Sequence, residues 1–296
     1  MIDPFGGILP AAVTPFDAAG RFRRDSFATL LRRCYDAGAD GVYICGTTGE
    51  GPLQPTRQRK EVAEAAVDLS PAGAQVIVHV GAPSTDEAVE LARHAAQAGA
   101  TAVSSLPPVG GYGFAEIRAY YARLAAEAGI PLFVYYYPEI APSLLGLDQL
   151  LEICAIPGVG GIKLTDFDLY RLSVLRREGV TVFNGRDEVL AAGLLMGANG
   201  GIGTFYNLLP AHFVRLRASA EAGAWADAKA TQDRINELIR LVASFPLMPA
   251  VKQILRWSGL DCGVCLQPRL ELTTEQAERL RAGLVRTAFT EFLVDD

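Results

Sequence analysis

Lys163 closes the run Gly158-Val159-Gly160-Gly161-Ile162-Lys163, a short apolar segment of strand character where a lysine serves no evident structural need. Only four of the 27 basic residues are lysines. Lys60, Lys229 and Lys252 fall in helical stretches, where solvated or snorkelling side chains are expected. A lysine ending a buried strand loses hydration, and desolvation lowers an amine's pKa from its reference of about 10.4. Such an amine is nucleophilic near neutral pH and forms a Schiff base with a ketone. The bland alternative is an ammonium that reaches water just past the strand end.

Other residues that could do chemistry also follow apolar runs. Gly46-Thr47-Thr48-Gly49-Glu50 offers two hydroxyls and several N–H groups in a tight turn, a cradle suited to a carboxylate. Tyr135-Tyr136-Tyr137-Pro138 ends another run, and Thr165 stands two residues beyond Lys163. Further along come Asn184-Gly185-Arg186-Asp187-Glu188 and Gly203-Thr204-Phe205-Tyr206-Asn207. Each has a structural alternative. The first could merely turn the chain and cap a helix, the tyrosines could be a packing rim, and Asp187-Glu188 could be first-turn helix carboxylates. Their coincidence at strand ends around Lys163 favours the functional reading.

Those residues need a scaffold that brings strand ends together. Strand candidates are Gly7–Val13, Gly41–Cys45, Gln75–Val80, Ala102–Leu106, Leu132–Tyr135, Gly160–Lys163, Val180–Phe183 and Gly201–Thr204. Helical stretches lie between them: Ser26–Ala37, Arg57–Leu69, Asp86–Ala98, Ala115–Ala128, Asp148–Ala155, Asp168–Arg177 and Asp187–Met196. This alternation predicts an α/β fold, a (β/α)8 TIM barrel with its active site at the C-terminal strand ends. An open doubly wound sheet is disfavoured, because no G-x-G-x-x-G follows the first strand. Helical patterns over Trp225–Val242, Ala250–Ser258 and Thr274–Leu293 exceed what one closing helix needs. The chain therefore reads as a barrel core over 1–210 and a C-terminal helical extension over 211–296, packed as one continuous unit.

Composition excludes several classes. With 296 residues, half of them hydrophobic, the chain can bury a large core without disulfide staples. A net charge of −6 argues against nucleic acid or an anionic membrane as main partner. No apolar run reaches transmembrane length and no signal pattern opens the sequence, so a cytoplasmic setting is expected. Among five cysteines, Cys34, Cys45 and Cys154 sit in apolar contexts as reduced core residues. Cys262 and Cys265 form a lone C-x-x-C, too little for a zinc site, and His79, His94 and His212 have no partner at ligand spacing. No metal is expected.

The T-T-G-E turn, Tyr135 and Lys163 together resemble the pyruvate-dependent class I aldolase superfamily of dihydrodipicolinate synthase and N-acetylneuraminate lyase. The resemblance runs from Leu9-Pro10 and Thr14-Pro15 into the helical tail. Gly185-x-Asp187-Glu188, the run Gly200 to Asn207, and Lys163-Leu164-Thr165 with Asp168-Leu169-Tyr170 are most similar to the neuraminate lyase branch. The resemblance implies that Lys163 forms the imine with pyruvate and that no separate cofactor is used. It implies that Tyr135 shuttles protons with Thr47, and that Thr47 and Thr48 hold the pyruvate carboxylate. Thr165, Gly185, Asp187, Glu188, Gly203 and Thr204 would bind the sugar chain. A homotetramer is implied as well.

Two departures bear on the substrate. Dihydrodipicolinate synthase carries an arginine five residues after the tyrosine to receive an acidic aldehyde, whereas here Ile140 stands there. Condensation with aspartate semialdehyde is thereby disfavoured. The loop after the fourth strand reads Leu106-Pro107-Pro108-Val109-Gly110-Gly111-Tyr112, with no tyrosine at the relay position; Tyr112 is a candidate substitute. The expected reaction is reversible cleavage of a 2-keto-3-deoxy sugar acid to pyruvate and an aldehyde. The alternatives are dehydration or cleavage of a shorter sugar acid, or a non-catalytic barrel that binds keto acids. Arg186 is the only strong basic neighbour of the glycine-rich Gly197–Gly203 stretch, so a phosphorylated substrate is a minor option.

Overall fold

The computed structural model describes residues 5–141, 146–287 and 289–293. Eight short strands form the frame: β1 (Gly7–Pro10), β2 (Gly41–Ile44), β3 (Gln75–His79), β4 (Ala102–Ser105), β5 (Leu132–Tyr136), β6 (Val159–Leu164), β7 (Val182–Asn184) and β8 (Gly200–Gly203). All neighbouring pairs are parallel, in the order β1-β8-β7-β6-β5-β4-β3-β2. An Ala11–Tyr43 bridge, with the Ala12 N–H donating to the Tyr43 carbonyl at 2.8 Å, draws β1 to β2 and closes the ring. Each strand is followed by a helix: α1 (Arg24–Asp36), α2 (Thr56–Leu69), α3 (Thr85–Ala98), α4 (Phe114–Ala128), α5 (Leu147–Cys154), α6 (Leu169–Arg177), α7 (Leu190–Leu195) and α8 (Pro210–Glu221). The expected TIM barrel is the fold observed.

The two-residue period of the strands divides the core. In β5, Leu132, Val134 and Tyr136 pack outward against helices, while Phe133 and Tyr135 point into the barrel. In β2, Val42 and Ile44 face out and Tyr43 faces in. Parity in β6 depends on an irregularity. Val159 pairs with Leu132 but Gly161 pairs with Phe133, so one extra residue, Gly160, is inserted on the β6 side. This bulge flips every later side chain to the other face. Ile162 and Leu164 then face the helices, and Lys163 is delivered to the interior beside Tyr135.

Three further helices, α9 (Trp225–Val242), α10 (Leu247–Trp257) and α11 (Thr274–Arg286), extend the same apolar core through Ile235, Leu238, Val251, Ile254, Leu280 and Leu284. Burying each such side chain contributes roughly 1.5–3 kcal/mol, which fixes the extension on the barrel. Several sequence expectations are corrected here. The helix expected over Thr274–Leu293 ends at Arg286, where Thr287 turns its hydroxyl back to the Gly283 carbonyl, and a separate 3₁₀ turn covers Thr290–Phe292. The Asp187–Met196 stretch opens as a 3₁₀ turn, Asp187–Val189, before α7. Lys252 is not solvated: it is 1% exposed, donates to the Val264 carbonyl at 2.6 Å and lies 2.8 Å from the Glu50 carboxylate. Among the described residues no single helix is long and apolar enough to cross a membrane.

Candidate active site

The turn after β2 is bracketed by two non-glycine residues in the left-handed region, Cys45 at φ 56° and Glu50 at φ 54°. Such conformations persist only where surroundings enforce them. Here the enforcement comes from the far end of the chain. The fully buried Glu50 carboxylate accepts from the Leu266 N–H at 2.8 Å and meets Lys252, with Arg269 at 3.6 Å. Glu50 is thus a structural clamp, and the turn it holds presents Thr47 and Thr48 to the barrel mouth. Thr47 shares a hydrogen bond of 3.1 Å with the Tyr135 hydroxyl, and Thr48 one of 2.6 Å with Thr204.

Lys163 is 5% exposed, its Nζ 4.1 Å from the Tyr135 ring centroid and 4.4 Å from that of Tyr43. Burial pulls its ammonium down to about 7, and the Asp187 carboxylate opposes that fall. Burial likewise pushes Asp187 up to about 7, against a 2.7 Å hydrogen bond from the Phe205 N–H and the charge of Lys163. Burial thus favours the free amine, the form that attacks a carbonyl. Desolvation raises the Tyr135 phenol to about 12, with Thr47 and Thr165 favouring its ionised form. Tyr135 rests as a neutral donor.

Close approach by two glycines makes room for these groups. A Cβ on Gly203 would lie 1.8 Å from Asp187 Oδ1, and one on Gly185 would lie 2.1 Å from Thr165 Oγ1. The Thr165 hydroxyl is itself buried without a hydrogen bond of normal geometry. Below, Tyr43 donates to Ser104 at 3.1 Å, and His79 is held neutral by burial. These residues enclose a cavity of roughly 270 Å³ lined by Thr47, Thr48, Tyr135, Lys163, Thr165, Gly185, Asp187, Glu188, Gly203 and Thr204. The Thr47-Thr48 turn, the Lys163 amine, the Tyr135 phenol and the side chains of Asp187, Glu188 and Thr204 all open onto one space.

The family model described as "Dihydrodipicolinate synthetase family" matches residues 4–287. The chain belongs to the dihydrodipicolinate synthetase family. An N-acetylneuraminate lyase of Rhizobium meliloti is 35% identical over 282 residues, covering 94% of each chain. Among solved structures, a sialic acid aldolase of Ruminococcus gnavus superposes with a TM-score of 0.91 at 26% identity, over 97% of this chain and 98% of that one. CdNal of Clostridium difficile, solved in complex with mannosamine, gives 0.91 at 27% identity, over 96% and 99%.

Tyr112 is 43% exposed and does not line the cavity of its own chain. Ile140 does line it, so an apolar side chain occupies the wall where an acid-binding arginine was considered. Some residues at or beneath the cavity were given no role in the sequence analysis. Tyr43 was within reach, because strand alternation from Val42 and Ile44 turns it inward with Lys163. Arg186 lies between two residues already singled out. Leu247, Met248 and Arg269 come from the extension and its loop, and no local pattern marks them as cavity wall.

Proposed function

We propose that this protein is a class I aldolase that reversibly cleaves a 2-keto-3-deoxy sugar acid into pyruvate and an aldehyde. The protein is an enzyme of the lyase class. The reading rests above all on one observation: a buried lysine with its amine near 7 faces a phenol in a hydroxyl-lined cavity. The N-acetylneuraminate lyase relatives and the sialic acid aldolase structure support a sugar-acid substrate.

The Lys163 amine adds to the C2 carbonyl of the keto acid, and loss of water from the carbinolamine leaves a protonated imine. Thr47 and Thr48 hold the C1 carboxylate, which fixes C2 against the amine. Removal of the C4 hydroxyl proton breaks the C3–C4 bond. The aldehyde departs, and the electron pair enters the imine as an enamine. Protonation at C3 and addition of water then release pyruvate and regenerate the amine. Tyr135 serves as proton carrier. At about 12 it is protonated at rest, but a cationic imine beside its ring favours the phenolate, and its bond to Thr47 gives the proton an exit. Thr165, Asp187, Glu188 and Thr204 meet the hydroxyls of the chain beyond C4.

Incubation with pyruvate and borohydride, followed by peptide mapping, tests the reading. A reduced pyruvyl adduct on Lys163 is expected; a folded protein that forms none lacks this chemistry. The loop from Leu106 to Tyr112, which has no tyrosine at the relay position, favours a second reading, dehydration of a shorter 2-keto-3-deoxy acid at the same lysine. Pyruvate release from the natural substrate separates cleavage from dehydration. A cytosolic setting and a homotetramer belong to the proposal, supported by the family resemblance.

A further inference from the structure

The cavity contains a guanidinium that cleavage of a neutral sugar chain does not use. Arg186 follows β7 between Gly185 and Asp187, and its side chain is 13% exposed. It is wedged between two rings, 4.4 Å from the Phe167 centroid and 5.3 Å from that of Tyr137. Its Nε is buried without a hydrogen bond. Among the described residues its only ion-pair partner is Glu139, whose side chain is 59% exposed. A carboxylate so open to solvent is a weak partner, because water and salt screen the pair. A carboxylate carried into the cavity by a ligand would meet the same fork with less screening, and a planar carboxylate matches its geometry. The protein's own Glu139 thus marks the group that fits. A doubly charged phosphate fits less well, since Asp187 and Glu188 line the same wall.

We propose that Arg186 selects substrates whose aldehyde half ends in a carboxylate, so that the preferred 2-keto-3-deoxy acid is dicarboxylic. The inference rests on the imine reading and narrows its substrate class. Ile140 removes one route to an acidic aldehyde, and Arg186 supplies another from a different strand.

Borohydride trapping on Lys163 tests both levels in one series. The probes are pyruvate, the monoacids 2-oxopentanoate and 2-oxohexanoate, and the matched diacids 2-oxoglutarate and 2-oxoadipate. Wild-type protein is expected to trap pyruvate, and to half-saturate with at least one diacid at a concentration lower than its monoacid by about tenfold or more. Arg186→Gln should bring that ratio to near one, and Arg186→Lys, which keeps charge but loses the fork, should leave an intermediate ratio. Wild-type ratios near one, with pyruvate trapped, overturn the proposal and leave the aldolase reading standing, whether or not a variant folds. A ratio unchanged in Arg186→Gln overturns it too. Absence of any adduct with pyruvate removes the aldolase reading and this inference with it.

Discussion

Tyr135 and Lys163 stand opposite each other in register on adjacent parallel strands, and the lysine Nζ lies 4.1 Å from the tyrosine ring centroid. The proposed nucleophile and proton carrier are therefore placed by sheet hydrogen bonding rather than by a loop. Such placement limits the motion that would misalign them.

Lys163→Arg keeps a cation in the cavity but removes the amine proposed to form the imine, the one lysine among the described lining residues. Turnover is expected to fall to background, and pyruvate trapping should vanish. Appreciable residual turnover, measured by pyruvate release in a folded variant, would sink the imine mechanism.

Tyr135→Phe retains the ring against Lys163 and loses the hydroxyl bonded to Thr47. The rate should drop by roughly 10²–10⁴, the usual scale for a general acid–base, while the carboxylate cradle is untouched. Single-turnover kinetics check this. An unchanged rate would assign proton transfer to another group.

Imine formation should quicken as pH rises through about 7, because the free amine of Lys163 gains at the expense of its ammonium. Asp187 titrates in the same range, so the profile reports the coupled pair. Asp187→Asn removes the charge that favours the ammonium, and the acid limb of pyruvate trapping should move to lower pH. Movement to higher pH would contradict the assigned coupling.

Lys252→Ala leaves the buried Glu50 carboxylate with only the longer contact to Arg269 at 3.6 Å, and breaking such a buried pair typically costs up to about 3–5 kcal/mol. The paired variant Glu50→Gln with Lys252→Met should recover much of that loss. Urea unfolding of both proteins measures the difference. Equal destabilisation in the two would show that the ion pair is not the reason for the loss.

The barrel was readable because its strands are short apolar runs at regular spacing, and the positions of Lys163 and Tyr135 followed from strand ends. Lys252 was misread for a physical reason. Helical periodicity shows which face a lysine occupies, but its counter-ion Glu50 belongs to a turn remote in sequence. α8 (Pro210–Glu221) drew no segment of its own, because its apolar residues Phe213 and Leu216 alternate with arginines and give a weak stripe. The Gly160 bulge also leaves no mark beyond a glycine pair, although it decides that Lys163 faces inward. Arg186 was seen only as a neighbour of the glycine-rich stretch, since its stacking on Phe167 and Tyr137 arises from two other loops.

The Glu50 clamp orders the molecule in time as well as in space. During synthesis the turn bearing Thr47 and Thr48 emerges early, but the ammonium of Lys252 and the N–H of Leu266 leave the ribosome only when most of the chain has been made. Until then the Glu50 carboxylate has every reason to stay in water, and the left-handed turn has nothing to enforce it. The turn proposed to cradle the keto acid is thereby assembled late, and a chain truncated before Lys252 would carry Lys163 without the clamp that sets this turn.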